Sequence, residues 1–465
     1  MSEPRPAATI NLSELLENSA VGPLQIRVFA LCMICLIMDG FDVQAMGYVA
    51  PAVVGEFGAE RSALGPVFAA ANVGVLIGSL LFSMLADRIG RRPVIIGATL
   101  WFSLLTLATG FAQSMEQLLW LRFISGLGLG CIIPNATALV GEFSPKRSRV
   151  TLTMGITVGF TAGAAIGGFV ALWLIPLFGW RSVFFVGGAV PLVVAVAMYF
   201  SLPESLQFLA VRRTRLDRLG HWLTKLDPSI RVGPSTEYVT NEVARSGSPM
   251  RQLFSDGRTT VTLLLWVVYF MNLLILYSLS NWIPTVFTGM GYSQNAALLA
   301  GTLLQVGGTL GAYGLAWAIA RKGFLPVLVV TFFLATISVA LIGQPGLGFA
   351  TVSVIVFIAG WCIVGGQPGL NTLAATYYPT TARSTGVGAA LGVGRLGAIL
   401  GPYATGLLLA QQWSWQQLFW AAAVPSLITT ILLFVLLNVL GSDLGRRAGG
   451  RERAGAAPEP APLAH

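Results

Sequence analysis

Twelve stretches of this chain are apolar and as long as a helix must be to cross a bilayer. They fall at roughly 26–50, 64–86, 93–112, 117–141, 151–175, 181–202, 260–288, 295–319, 324–343, 348–374, 385–410 and 415–440. At 1.5 Å of rise per residue, about 20 apolar residues cross the hydrocarbon core, where only helices or closed barrels satisfy the backbone. The pattern predicts an all-α membrane protein with twelve transmembrane helices. Charged residues make up only 10% of the chain, against about 25% in a soluble domain.

The basic residues predict the orientation. Arg88, Arg91 and Arg92 lie between spans two and three, Lys146, Arg147 and Arg149 between four and five, and Arg383 between ten and eleven. Nine more occupy the 203–258 loop, while the opposite side holds chiefly Arg61 and Arg181. The even-to-odd loops and both termini are therefore expected in the cytoplasm. The net charge of +9 is a topology signal and points to no nucleic-acid partner. Five regions result: a cytoplasmic segment 1–22 without signal-peptide features, a six-helix half 23–202, a central loop 203–258, a second six-helix half 259–440, and a disordered tail 441–465.

Asp39 and Asp42 stand out within the first span. A charged Asp at the centre of a spanning helix costs about 2.5–3.5 kcal/mol. At i and i+3 they share one helix face, so both can point into a polar interior and carry protons. Cys32, Cys35, Cys131 and Cys362 all lie in apolar spans, where packing explains them and no metal or disulfide is required. No nucleophile–base pair or phosphate loop appears in the spans, so neither an enzyme nor a cofactor is expected.

The two halves are related. Asp87 aligns with Ala320 (320 − 87 = 233), Arg149 with Arg383 (383 − 149 = 234), and Gly163 with Gly397 at the same 234. Independent motifs at one shared offset point to duplication, and two homologous six-helix halves around a central site are a transporter architecture. At offset 233, Asp39 falls on Asn272, which places the charge chemistry in the first half.

Ser83-Met84-Leu85-Ala86-Asp87-Arg88-Ile89-Gly90-Arg91-Arg92 resembles the loop 2–3 signature of the major facilitator superfamily, with Ser83 in place of the usual first Gly. Pro203-Glu204-Ser205 with Phe208-Leu209 resembles the motif after span six in sugar porters and related symporters. Asp39-Gly40-Phe41-Asp42, Leu64-Gly65-Pro66, Arg122 with Gly126, Gly128 and Gly130, and Gly392, Gly394, Arg395, Gly397 and Gly401 together resemble the aromatic acid:proton symporter family, typified by bacterial 4-hydroxybenzoate transporters. The resemblance runs from about Pro23 to Leu440. It implies a multi-pass protein of the bacterial inner (plasma) membrane that functions as a monomer. It also implies a cytoplasmic gate made by Asp87, Arg88, Gly90, Arg91, Arg92, Glu142, Arg149 and Arg383.

Spans one and four are cavity neighbours in that family, so the resemblance pairs Arg122 with Asp39 or Asp42 and makes the three a proton-coupling set. Arg395 lies about 15 Å into span eleven. It has no carboxylate in its own helix, and its planar fork suits a substrate carboxylate. Tyr48, Asn272, Tyr277, Asn281, Trp282, Gln305, Gln367 and Asn371 are further cavity candidates; Tyr48, Asn272, Trp282 and Asn371 join Arg395 as the expected substrate-binding residues.

The expected function is proton-coupled import of small aromatic carboxylates, of the 4-hydroxybenzoate, protocatechuate or benzoate type, by alternating access. Partners are the acid anion, protons and the lipid bilayer. One alternative is a transporter of another organic acid or an exporter. Gly155, Gly159, Gly163 and Gly167 resemble the drug-exporter antiporter signature, although Ala164 stands where a Pro is usual. A membrane sensor of aromatic acids without turnover is the alternative of another class.

Overall fold

The computed structural model describes residues 9–12, 15, 19, 21–212, 219–220, 222–224, 237–239, 249–255, 257–378 and 382–455. Residues 1–8 and 456–465 and most of 213–248, which include parts of the expected terminal and central segments, lie outside that set. Twelve long helical segments carry the fold. They are α1 Pro23–Phe57, α2 Leu64–Ile89, α3 Arg91–Thr109, α4 Met115–Phe143, α5 Arg149–Phe178 and α6 Arg181–Ser201. The second set is α7 Thr259–Gly289, α8 Gln294–Lys322, α9 Phe324–Ile342, α10 Phe349–Tyr377, α11 Arg383–Ala410 and α12 Trp415–Gly455. The bounds of α12 take in the start of the stretch expected to be disordered. Two short helices, Leu206–Arg212 and Pro249–Gln252, punctuate the central loop, and a parallel pairing of Thr9–Asn11 with Glu237–Val239 was not foreseen.

The duplication is visible in the packing. In the first half α1 packs on α5, α2 on α4 and α3 on α6; in the second, α7 packs on α11, α8 on α10 and α9 on α12. Close backbone approaches repeat as well. A side chain at Gly163 would strike the Ile37 carbonyl, and one at Gly397 would strike that of Phe270. Both members of the contact shift by the repeat (397 − 163 = 234; 270 − 37 = 233). Small residues at such crossings let helices approach closely where lipid supplies no hydrophobic drive between them. Large apolar side chains such as Trp173, Val193 and Phe200 are turned outward, as a lipid-facing surface requires.

One face of the bundle carries the basic loops; the other is called the far face. The halves join mainly where α1 packs on α7, α2 on α11 and α5 on α8. Their close contacts sit near the far face: Gly65 on Gly406, Gly47 on Ser280, and Gly168 on Thr302. Toward the basic face of α11, Gly388 and Gly392 meet nothing within 4 Å. These close contacts between the halves thus gather near the far face.

Candidate functional site

The two carboxylates of α1 have different surroundings. Three residues at 3.6 per turn leave them about 60° apart around the helix axis, so their side chains diverge. Asp42, 0% exposed, is gripped by Arg122 of α4: Nη2 donates to Oδ2 at 2.8 Å and to the Asp42 carbonyl at 3.1 Å, and Nη1 donates to Oδ1 at 3.2 Å. Thr106 of α3 donates to Oδ1 at 2.5 Å. The guanidinium also lies 5.9 Å from the Phe184 ring centroid. Asp39 is 2% exposed, and its Oδ2 has no hydrogen-bond partner among the described residues. Arg395, in the opposite half, is near enough for its charge to act on Asp39, as is Asp42. Arg395 is half-buried and donates from Nη1 to the Tyr277 hydroxyl at 3.2 Å.

The arrangement separates two jobs. A buried ion pair with its lone pairs met is an anchor. A buried carboxylate with an unmet oxygen is the group for which gaining or losing a proton matters most.

In the second half Asn272, the repeat mate of Asp39, heads an amide chain. Its Nδ2 donates to Gln367 Oε1 at 2.6 Å, and Gln367 Nε2 donates to Asn371 Oδ1 at 3.0 Å. The Asn272 Oδ1 is buried without a partner among the described residues. Tyr48 and Trp282, expected to bind substrate, direct their polar atoms to backbone carbonyls. The Tyr48 hydroxyl donates to the Ala164 carbonyl at 2.9 Å, and Trp282 Nε1 donates to the Pro402 carbonyl at 3.0 Å. Both are buried at helix crossings in the far-face half, with their polar atoms already satisfied.

Sequence reasoning missed Thr106, Asn72 and the role of Gln44. No local signal marks Thr106 and Gln44, because their partners lie 64 and 236 positions away in the chain. Gln44 of α1 donates to the Ser280 carbonyl of α7 at 2.5 Å, and Gln305 of α8 donates to Gln44 Oε1 at 3.1 Å and to Ser280 Oγ at 3.0 Å. This buried amide cluster ties the halves together near the far face. Gln44→Leu removes both bonds that cross between them, each contributing about 1 kcal/mol. The variant is expected to shift the population toward a far-face-open state by roughly ten- to thirty-fold. Distances between spin labels on the far-face ends of α1 and α7 check this, and an unchanged distribution would remove Gln44 as a latch.

At the basic face Arg91 forms an ion pair with Glu142, and Ser205 bonds the same carboxylate. Glu204 caps the start of α3, accepting from the backbone N–H of Arg91 at 2.9 Å and of Arg92 at 3.1 Å. Gly90 has φ +104°, and a Cβ there would collide with the Glu204 carboxylate. Glycine thus meets two demands at once. Arg92 Nε donates to the Leu202 carbonyl at 2.7 Å. Gly90, Arg91, Arg92 and Glu142 therefore meet within the first half. Asp87 and Arg88 are exposed at the end of α2, Arg149 is half-buried at the start of α5, and Arg383 is exposed at the start of α11. Among the described residues no group of three or more His, Cys, Asp or Glu could hold a metal, and the four cysteines are free and buried.

The family model described as Major Facilitator Superfamily matches residues 32–388 and 327–465. The chain is 38% identical over 438 residues to the 4-hydroxybenzoate transporter PcaK of Pseudomonas aeruginosa, covering 94% of this chain and 98% of that protein. It is 36% identical to the gallate transporter of Pseudomonas putida, covering 93% and 96%. Among solved structures, the D-xylose-proton symporter superposes with a TM-score of 0.69 at 16% identity, covering 88% of this chain and 97% of that one. That likeness concerns the fold alone.

Proposed function

The chain belongs to the Major Facilitator Superfamily, and on that premise we propose that it is a proton-coupled symporter importing small aromatic carboxylates of the 4-hydroxybenzoate type. It is a multi-pass protein of a bacterial inner membrane, and the basic face is its cytoplasmic side. The observation that carries the reading is the buried carboxylate of Asp39, whose Oδ2 has no hydrogen-bond partner among the described residues, in a bundle that also places Arg395 within a span of the opposite half. The names of the 38% and 36% identical relatives support the substrate class.

The energetics require such a pair. Moving a benzoate anion inward against a negative-inside potential costs about 2.3 kcal/mol per 100 mV, and one accompanying proton cancels that charge. With the periplasmic side open, Asp39 takes up a proton and releases its hold on Arg395. The guanidinium then receives the substrate carboxylate through its two-pronged fork. The halves close over the periplasmic side, where the Gln44–Ser280–Gln305 cluster latches, and the cavity then opens to the cytoplasm. Substrate leaves, Asp39 loses its proton, and Arg395 turns back to it. Asp42 and Arg122 hold α1 against α4 throughout. The Asn272–Gln367–Asn371 chain lines the second-half wall, and the Arg91–Glu142 cluster with Asp87, Arg88, Arg149 and Arg383 serves the cytoplasmic gate.

The test is uptake of radiolabelled 4-hydroxybenzoate by energised vesicles containing the protein. Accumulation that a protonophore collapses is expected. Failure to accumulate 4-hydroxybenzoate, benzoate or gallate overturns the reading. Arg395→Lys is expected to raise the half-saturating concentration about tenfold or more, because a point charge replaces a bidentate fork. Saturation kinetics at fixed pH check it, and a native value would release Arg395 from this role.

A further inference from the structure

Between α1, α2, α4 and α7 lies a small cavity, mostly apolar with a few polar groups, which the transport cycle above leaves without a task. Met46, Phe68, Asn72, Arg122, Tyr277 and Asn281 line it. In this state it has room for about one or two waters. Its walls come from both halves, so it widens when the periplasmic ends part, which is when substrate loads. Three of its polar groups are incompletely used. Asn281 is 5% exposed, and its side chain makes no hydrogen bond among the described residues. Asn72, also 5% exposed, donates to the Phe68 carbonyl at 3.1 Å through Nδ2, and its Oδ1 accepts nothing among the described residues. The Arg122 Nε is likewise without a partner.

We propose that this cavity is the subsite for the ring hydroxyl of the transported acid, and that Asn72 and Asn281 determine specificity for hydroxylated over plain benzoates. The proposal rests on the reading above that Arg395 holds the carboxylate. Tyr277 accepts from Arg395 at 3.2 Å and also lines the cavity, so it joins the two sites. Asn281 is one turn further along the same face of α7, a rise of about 6 Å, comparable to the long axis of a para-substituted ring. With the carboxylate at Arg395 and the ring against Tyr277, the hydroxyl reaches the two amides. A phenol both donates and accepts: Asn72 Oδ1 takes its proton in a hydrogen bond, and Asn281 Nδ2 donates to its oxygen. A buried wall built for a hydroxyl discriminates against the analogue that leaves its amides unpaired.

The experiment measures binding of 4-hydroxybenzoate and benzoate to the purified full-length protein by calorimetry. The proteins are native, Asn72→Ala, Asn281→Ala and, where an alanine variant fails to fold, the corresponding serine variant. The native protein should prefer 4-hydroxybenzoate, and each variant should lower the ratio of the two affinities about tenfold, the loss falling mainly on the hydroxylated ligand. Equal losses on both ligands, or an unchanged ratio, overturn the subsite and leave the transport reading standing. A native protein that binds neither acid overturns both.

Discussion

Asp39→Asn is expected to abolish protonophore-sensitive accumulation while preserving exchange of labelled for unlabelled substrate across the membrane. An amide cannot take up or release a proton, so in the proposed cycle the variant lacks the step that links the gradient to transport. It also removes the charge that competes for Arg395. The guanidinium stays available to the substrate, and binding should become insensitive to pH in the range where native binding weakens as Asp39 ionises. A carrier that moves the anion without its proton works against the potential by about 2.3 kcal/mol per 100 mV, roughly fifty-fold in the accumulation ratio. The variant should fold as well as the native protein, because Oδ2 makes no hydrogen bond among the described residues that an amide would forfeit. Counterflow and uphill uptake, measured on the same vesicles, separate the outcomes. Uphill uptake that survives in Asp39→Asn would show that another group carries the proton.

The carboxylate three residues away should behave in the opposite manner. Asp42→Asn leaves the Arg122 guanidinium, 1% exposed, without its counter-charge. Removing one partner of a buried ion pair destabilises by about 3–5 kcal/mol. The expected result is a large fall in the unfolding temperature of the detergent-solubilised protein and poor recovery from membranes. Asp42→Asn combined with Arg122→Gln removes both charges and should restore most of the lost stability, since no isolated charge stays buried. A double variant no more stable than Asp42→Asn alone would mean that the pair contributes little, and that α1 and α4 are held by packing. Between them, the two substitutions test whether the structure has divided anchoring from proton transfer as its hydrogen bonds indicate.

Much of the site's setting can be read without coordinates, and the reasons are local. Hydropathy reveals the spans because lipid selects apolar residues one helix at a time. The basic loops indicate orientation for a similar reason. The repeat is legible because duplicated positions keep a constant spacing, and the structure repeats it in the contacts of Gly163 and Gly397. Arg122, Arg395 and the Asp39–Asp42 pair are conspicuous because charge within a span is rare. Tyr48 and Trp282 were less legible. An amphipathic side chain in a lining helix can face the cavity or a neighbouring backbone, and only packing shows that Ala164 and Pro402 supply their hydrogen-bond acceptors. The Glu204 cap was hidden for a similar reason: its motif is visible, but Arg91 and Arg92 lie more than a hundred positions away.

The sequence by itself determined a two-fold repeated bundle of twelve spanning helices, with two carboxylates in the first span and two arginines in the fourth and eleventh. Those properties belong to single segments and to the spacing between them. Which carboxylate is paired and which keeps an unmet oxygen was decided only by tertiary structure. The turn of α1 sends Asp42 toward Arg122 and Thr106, 80 and 64 positions away, and leaves Asp39 Oδ2 buried without a partner among the described residues. A hydrogen bond is a matter of a few ångströms, and only the packed bundle sets distances of that size between residues so far apart in the chain.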